Sequence, residues 1–184
     1  MKPWDIISRE EVFDASPFLT LHRETVRLEN GDVIDDYYTI DQRDFVVIFG
    51  MANSSEVLAI RHYKHGAKRI NLGLPAGYIE VGEEPVSAAQ RELLEETGYT
   101  AKIWKLLGSY VVDGNRGCGH VHVFFAEKLV RKQDPDPDDL ETITLEKIPV
   151  KQLPAFLANS EVATLGAAIG ISLGLLELNV YGKK

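Results

Sequence analysis

At 184 residues the chain is long enough to bury the core of one domain without disulfide staples. Its formal net charge of −8 argues against a non-specific nucleic-acid binder, which draws in phosphates through clustered Lys and Arg; an acidic protein that handles phosphates calls for a cation. Cys118 is the only cysteine, which excludes an intramolecular disulfide, and the start Met1-Lys2-Pro3-Trp4-Asp5 lacks the charged-then-apolar pattern of a signal peptide, so a cytoplasmic location is expected.

From the N-terminus, Phe18 to Leu28 and Val33 to Ile40 are β-compatible and flank Glu29-Asn30-Gly31-Asp32, whose Asn-Gly step predicts a hairpin. Two apolar strands follow, Phe45 to Phe49 and Val57 to Ile60, separated by the polar turn Asn53-Ser54-Ser55. A glycine-punctuated loop leads to Leu74-Pro75-Ala76-Gly77. Pro85 to Thr97 then satisfies the local tests for a helix: proline in the first turn, good helix formers inside, and Gly98 placed for a left-handed cap. Ala101 to Val112, His120 to Val130 and the shorter Glu141 to Leu145 are predicted strands, and two helical segments close the chain. Asp134-Pro135-Asp136-Pro137-Asp138-Asp139 is predicted to be a solvated acidic loop.

Between Glu161 and Glu177 lie fifteen uncharged residues with Gly166, Gly170 and Gly174 at membrane-dimer spacing. About 20 apolar residues are needed to cross a bilayer, so a core helix whose glycines permit close packing is expected, with no membrane contact. Strands and helices interleaved without a strict βαβ rhythm point to an α/β (α+β) fold, with a mixed sheet covered by helices.

The chemistry concentrates on the predicted helix. Glu92, Glu95 and Glu96 stand at i, i+3 and i+4, which puts three carboxylates on one side within a turn. Like charges so placed cost a helix a few tenths of a kcal/mol each, a penalty that a bound divalent cation would reverse. Oxygen-only ligation suits Mg²⁺ better than zinc. The plainer reading is a solvated acidic face partly neutralised by Arg91.

The surrounding pattern favours the first reading. Gly77, Glu83, Arg91, Glu92, Glu95, Glu96 and Gly98 fill every fixed position of the Nudix signature: glycine, five residues, glutamate, seven residues, Arg-Glu, two residues, Glu-Glu, one residue, glycine. Leu74-Pro75-Ala76-Gly77-Tyr78-Ile79-Glu80 and Arg61-His62-Tyr63-Lys64 further resemble the ADP-ribose and nucleoside-diphosphate-sugar pyrophosphatase branch of that family. Tyr99 stands where an aliphatic residue is usual, Gly73 where the branch usually has glutamate, and the segment from Val112 to His120 lacks the proline of many ADP-ribose members. The last two departures bear on strict ADP-ribose specificity.

This resemblance implies an α/β/α sandwich, with residues 1–42 as an N-terminal β-hairpin region and dimer contact and 43–184 as the hydrolase domain. It implies metal held by Glu92 and Glu96, with Glu95 and the backbone carbonyl of Ala76 completing a site, and Mg²⁺ as the ion, replaceable by Mn²⁺. It further implies Arg91 holding a glutamate in place, Glu83 bracing the loop against the helix, and a general base from a loop carboxylate, for which Glu141 is the candidate with Asp138 and Asp139 behind it. Arg61 and Glu80 would lie on the substrate side, and Trp4 would stack on a base or pack in a dimer interface. The implied reaction is hydrolysis of ADP-ribose or a related nucleotide sugar by a homodimer. Dinucleoside polyphosphates, nucleoside triphosphates, and a non-catalytic nucleotide-binding regulator are the alternatives. A different class of reading takes Cys118, His120 and His122, alternating along a strand, as zinc ligands; their bland reading is a reduced thiol beside two ordinary histidines.

Overall fold

The computed structural model describes residues 2–136 and 142–181. The chain forms two compact units, residues 1–44 with 110–120, and residues 45–109 with 121–184.

The first unit is built on three antiparallel strands, β1 (Asp5–Ala15), β2 (Leu19–Arg27) and β3 (Val33–Asp41). The Asn-Gly turn forms as expected: Gly31 takes φ +93, its N–H donates to the Leu28 carbonyl at 3.0 Å, and Arg27 pairs with Val33 beyond it. The sequence reading begins this sheet at Phe18 and misses β1, which is exposed along nearly its whole length and so shows no buried period. Trp4 packs edge-on against Tyr37 with ring centroids 5.6 Å apart and stays half exposed. The unit also takes in residues 110–120, remote in sequence from the 1–42 region; there Gly117 pairs in parallel with Ile40. Cys118 has φ +63 between Gly117 and Gly119, also at positive φ, so Cys118 and His120 do not follow the regular alternation that the zinc reading needs. Among the described residues, no group of three or more His, Cys, Asp or Glu is arranged to hold a metal ion as it stands.

The second unit is a mixed sheet between helices. β4 (Phe45–Met51) pairs in parallel with the second half of β10 (Gly117–Glu127) and antiparallel with β5 (Glu56–Lys64) and the short β7 (Ala76–Tyr78). β5 also carries β6 (Arg69–Gly73) and β12 (Thr144–Pro149), β9 (Ile103–Asp113) pairs with β10, and β8 (Tyr99–Thr100) with β11 (Val130–Arg131). β6 lies inside the stretch expected to be a loop, and β7 begins in the Leu74-to-Gly77 run that follows it. The first residue of the expected final strand, Glu141, lies outside the described residues; β12 runs from Thr144, where it pairs with β5 from Arg61 back to Glu56.

Alternate residues of β4 feed two apolar layers. Val46 and Ile48 pack with Leu58 against Ala88, Ala89 and Leu93 of α1 (Pro85–Thr97), and Tyr99 joins this layer as a partly buried ring. Val47 and Phe49 face the other way, toward Leu153 of α2 (Leu153–Ala158) and Ile171 of α3 (Leu165–Tyr181), with a 3₁₀ turn at Val150–Gln152 before α2. The expected role of the α3 glycines is seen directly: a β-carbon on Gly170 would meet Val47 Cγ1 at 2.6 Å, and one on Gly174 would meet the Phe49 ring at 2.1 Å. No described helix is long and apolar enough to cross a membrane.

Candidate functional site

Helix α1 begins at Pro85 and ends where Gly98 takes φ +75, its N–H donating to the Leu94 carbonyl at 2.7 Å. Glycine is required there twice over, by the left-handed backbone and because a β-carbon would meet the Gln133 carbonyl oxygen at 2.2 Å. Both ends of the helix are fixed, and Leu93 is fully buried beneath it, so the backbone positions that carry the glutamates are set by packing.

Arg91 is the hub. Its Nε and Nη2 donate to the two oxygens of Glu83 at 3.0 and 2.9 Å, a two-pronged pairing, and Nη2 also reaches the Tyr78 carbonyl at 2.9 Å. Nη1 donates to Glu92 at 2.7 Å and to Glu95 at 3.1 Å. These bonds, Glu83 first, push the Arg91 pKa well above its ordinary value despite the opposing cost of burial. The same guanidinium lowers the Glu83 pKa, helped by the Glu80 backbone N–H at 3.0 Å. One arginine thus ties the loop after β7 to the helix, fixing long side chains that would otherwise sample many rotamers.

Glu96 is reached from the other side. It is buried, and the Ala76 backbone N–H donates to its Oε2 at 2.8 Å. Gly77 supplies the room: a β-carbon there would fall 1.9 Å from Glu92 Cδ and within 2.2 Å of both its oxygens. β7 therefore presses bare backbone against two α1 carboxylates. Three carboxylates, of Glu83, Glu92 and Glu95, are gathered around one guanidinium, and Glu96 of the same helix is held by the Ala76 backbone.

This donor set fits a divalent cation. It is all oxygen, it carries more negative than positive charge, and every bond from Arg91 to Glu92 or Glu95, and from Ala76 to Glu96, uses one oxygen of a group that has two. In this arrangement the Glu92 and Glu95 carboxylates lean on Arg91 and that of Glu96 on Ala76.

Of the remaining candidates, Glu80 is exposed in the turn that its carbonyl closes with the Glu83 N–H at 3.0 Å. Arg61 belongs to a different network: its Nε donates to Glu146 at 2.7 Å and Nη1 to Glu161 at 3.4 Å. Glu141, Asp138 and Asp139 lie outside the described residues. Sequence reasoning missed the Ala76 N–H and the Tyr78 carbonyl, which are backbone atoms with no residue signature. It also missed a cavity of about 260 Å³ beside β7, lined in part by His62, Asn71, Gly73 and Leu74.

Comparison with known proteins agrees with this geometry. Residues 41–165 match the NUDIX domain family, and residues 4–40 match the family described as the nucleoside diphosphate sugar hydrolase N-terminal domain. The chain is similar to an ADP-ribose pyrophosphatase of Bacillus subtilis, 27% identical over 166 residues that cover 90% of this chain and 89% of the other. It is also similar to a methanol dehydrogenase activator of Bacillus methanolicus, 26% identical over 77% of this chain and 78% of the other. Among solved structures, an ADP compounds hydrolase superposes with a TM-score of 0.87 at 21% identity, covering 100% of this chain and 98% of that one, a likeness of fold.

Proposed function

The chain belongs to the NUDIX domain family, and on that premise we propose that it hydrolyses the pyrophosphate linkage of ADP-ribose or a related nucleoside diphosphate sugar, releasing a nucleoside monophosphate and a sugar phosphate. What carries this reading is the carboxylate cluster, with Glu92, Glu95 and Glu96 presented by one helix and braced by Arg91, Ala76 and Gly77. The N-terminal family match and the Bacillus subtilis relative support the nucleotide-sugar class.

A divalent cation goes with the family, and Mg²⁺ is the ion proposed, with Mn²⁺ as a substitute. Glu92 and Glu96 would hold it, with Glu95 and the Ala76 carbonyl beside them, and when bound it would neutralise charge on the pyrophosphate oxygens. Arg91 and Glu83 act as positioning residues, keeping the helical carboxylates in register with β7. Water attacks one phosphorus, the bond to the bridging oxygen breaks, and the attacking water's proton passes to a carboxylate, for which Glu141 is proposed.

Two further features belong to the same proposal. A cytoplasmic location is proposed with it, and so is a homodimer, for which the exposed apolar residues Ile6, Phe13 and Phe18 of the first unit are the support. The alternative role, a nucleotide-binding regulator, is kept because of the activator among the relatives.

Phosphate release through a coupled phosphatase, from ADP-ribose, ADP-glucose, GDP-mannose, UDP-glucose, a dinucleoside tetraphosphate and nucleoside triphosphates, tests this with Mg²⁺ and with chelator. Turnover of a nucleotide sugar that chelator abolishes is the expected result. Nucleotide binding without turnover of any compound would favour the regulator, and preferential turnover of triphosphates would move the substrate class.

A further inference from the structure

The acidic run that begins at Asp134 has no part in the chemistry above, yet its first half is tied to the glutamate helix. We propose that residues 132–136 form a splint that holds the last turn of α1, and that Asp136 is a positioning residue for Glu95, acting through its backbone N–H. The proposal rests on the hydrolase reading above for the role of Glu95.

That turn needs holding. It carries Glu95 and Glu96 at i+3 and i+4 from Glu92, so like charges repel across it, and the last carbonyls of a helix have no partner within the helix. The Gly98 N–H closes the Leu94 carbonyl at 2.7 Å. The next donor in line is the Tyr99 N–H, but it goes to Thr97 Oγ1 at 3.1 Å and leaves the Glu95 carbonyl to another group. That group is the Asp136 N–H, at 2.8 Å. The Gly98 carbonyl is taken in the same way, by the N–H of Lys132 at 2.8 Å and that of Gln133 at 3.3 Å.

The sequence explains why the donor arrives in place. Of Pro135, Asp136 and Pro137, only Asp136 carries a backbone N–H, and a residue that precedes proline is confined to extended conformations, which applies to Asp134 and Asp136 alike. The segment is therefore stiff and offers one donor. Its start is fixed where β11 pairs with β8, Val130 with Thr100 and Arg131 with Tyr99, and Arg131 Nη2 donates to Asp134 at 2.5 Å. The side chains of Asp134 and Asp136 stay exposed, as expected of a solvated acidic run; the bonds to the helix come from the backbone.

Glu95 is thus gripped twice, its carboxylate by Arg91 Nη1 at 3.1 Å and its carbonyl by Asp136. Loss of the second grip frees the last turn without touching Arg91, Glu83 or β7. A displacement of about 1 Å can cost a reaction roughly 100-fold, so one backbone bond at this place reaches the chemistry.

Asp136→Pro removes the N–H, whereas Asp136→Ala removes the carboxylate and keeps the N–H; the two are compared for hydrolysis of ADP-ribose at saturating Mg²⁺. Asp136→Pro should lose at least about 10-fold of kcat relative to Asp136→Ala, with the same KM in both. Amide hydrogen exchange in wild type stands even if Asp136→Pro fails to fold. The Asp136 amide should exchange more slowly than an unprotected peptide, and Mg²⁺ alone should slow it further while leaving the Gly31 amide of the first unit unchanged. Equal kcat in the two folded variants, a loss carried by KM, or an Asp136 amide that exchanges as in a free peptide or ignores Mg²⁺ overturns the splint. Failure of the hydrolase reading is separable: wild type itself then turns over no nucleotide sugar, whereas failure of the splint leaves wild-type turnover intact and the two variants alike.

Discussion

The carboxylate of Glu92 occupies the space that a side chain on Gly77 would fill, with Cδ only 1.9 Å from the position of the missing β-carbon. The strand and the helix are therefore matched to within less than one methyl group. Gly77→Ala must push the Glu92 carboxylate aside. Hydrolysis should fall by roughly 100-fold, the scale of a displacement of about 1 Å at a reacting centre, with a much smaller change in thermal midpoint. Activity near wild type would show that Glu92 need not sit against β7.

Arg91 meets Glu83 with two parallel bonds while reaching Glu92 and Glu95 with a third nitrogen, a geometry that only a planar fork can supply. Arg91→Lys keeps the charge and loses the fork. Stability should drop by about 1–3 kcal/mol in denaturant titration, and hydrolysis should fall more than Arg91→Lys lowers substrate affinity. An unchanged denaturation midpoint would remove Arg91 from its place as the hub.

The lowered pKa of Glu83 makes a prediction about acid. The group's ordinary value is 4.5, and the folded value lies below it, chiefly through the Arg91 hydrogen bond. Its contribution to stability is therefore fully present above the ordinary value and disappears as the pH falls through the lowered one. Glu83→Gln should be less stable than wild type at neutral pH and lose less further stability below about pH 4.5. Parallel pH profiles of the thermal midpoint would contradict this.

Gly174 of α3 lies against the fully buried Phe49 ring, 2.1 Å from where its β-carbon would be. The ring has no room to retreat, so Gly174→Ala should destabilise by about 1–3 kcal/mol through overpacking, against the small gain that alanine normally gives a helix. Thermal unfolding decides the sign: a raised midpoint would mean that α3 is not packed on β4 through this glycine.

What could be read from the sequence followed from how locally each feature is encoded. The cluster was legible because five of its residues sit within one signature and its helix is announced by Pro85 and Gly98. The layers of the second unit were legible through the apolar runs of β4 and β5. β1 was not, because Asp5 to Ala15 buries almost nothing and so shows no alternation, and β6 and β7 are short, with glycine ending the one and inside the other. The cavity beside β7 needed three dimensions, since His62, Asn71 and Thr164 are scattered over more than half the chain. Only the departure at Gly73 hinted at it. The partners of Arg61, Glu146 and Glu161, lie 85 and 100 residues further along the chain and were likewise not legible.

The central claim is that this glutamate helix cleaves a nucleotide sugar with the help of a divalent cation. Its most direct measurement is chromatographic identification of products from ADP-ribose and Mg²⁺, with wild type, Glu96→Gln and Glu92→Gln side by side. Wild type should yield AMP and ribose 5-phosphate in equal amounts, and both variants, folded to the wild-type thermal midpoint or close to it, should lose at least about 100-fold of that rate. Product formation that survives in Glu96→Gln and Glu92→Gln, or other products from the wild type, would contradict the account.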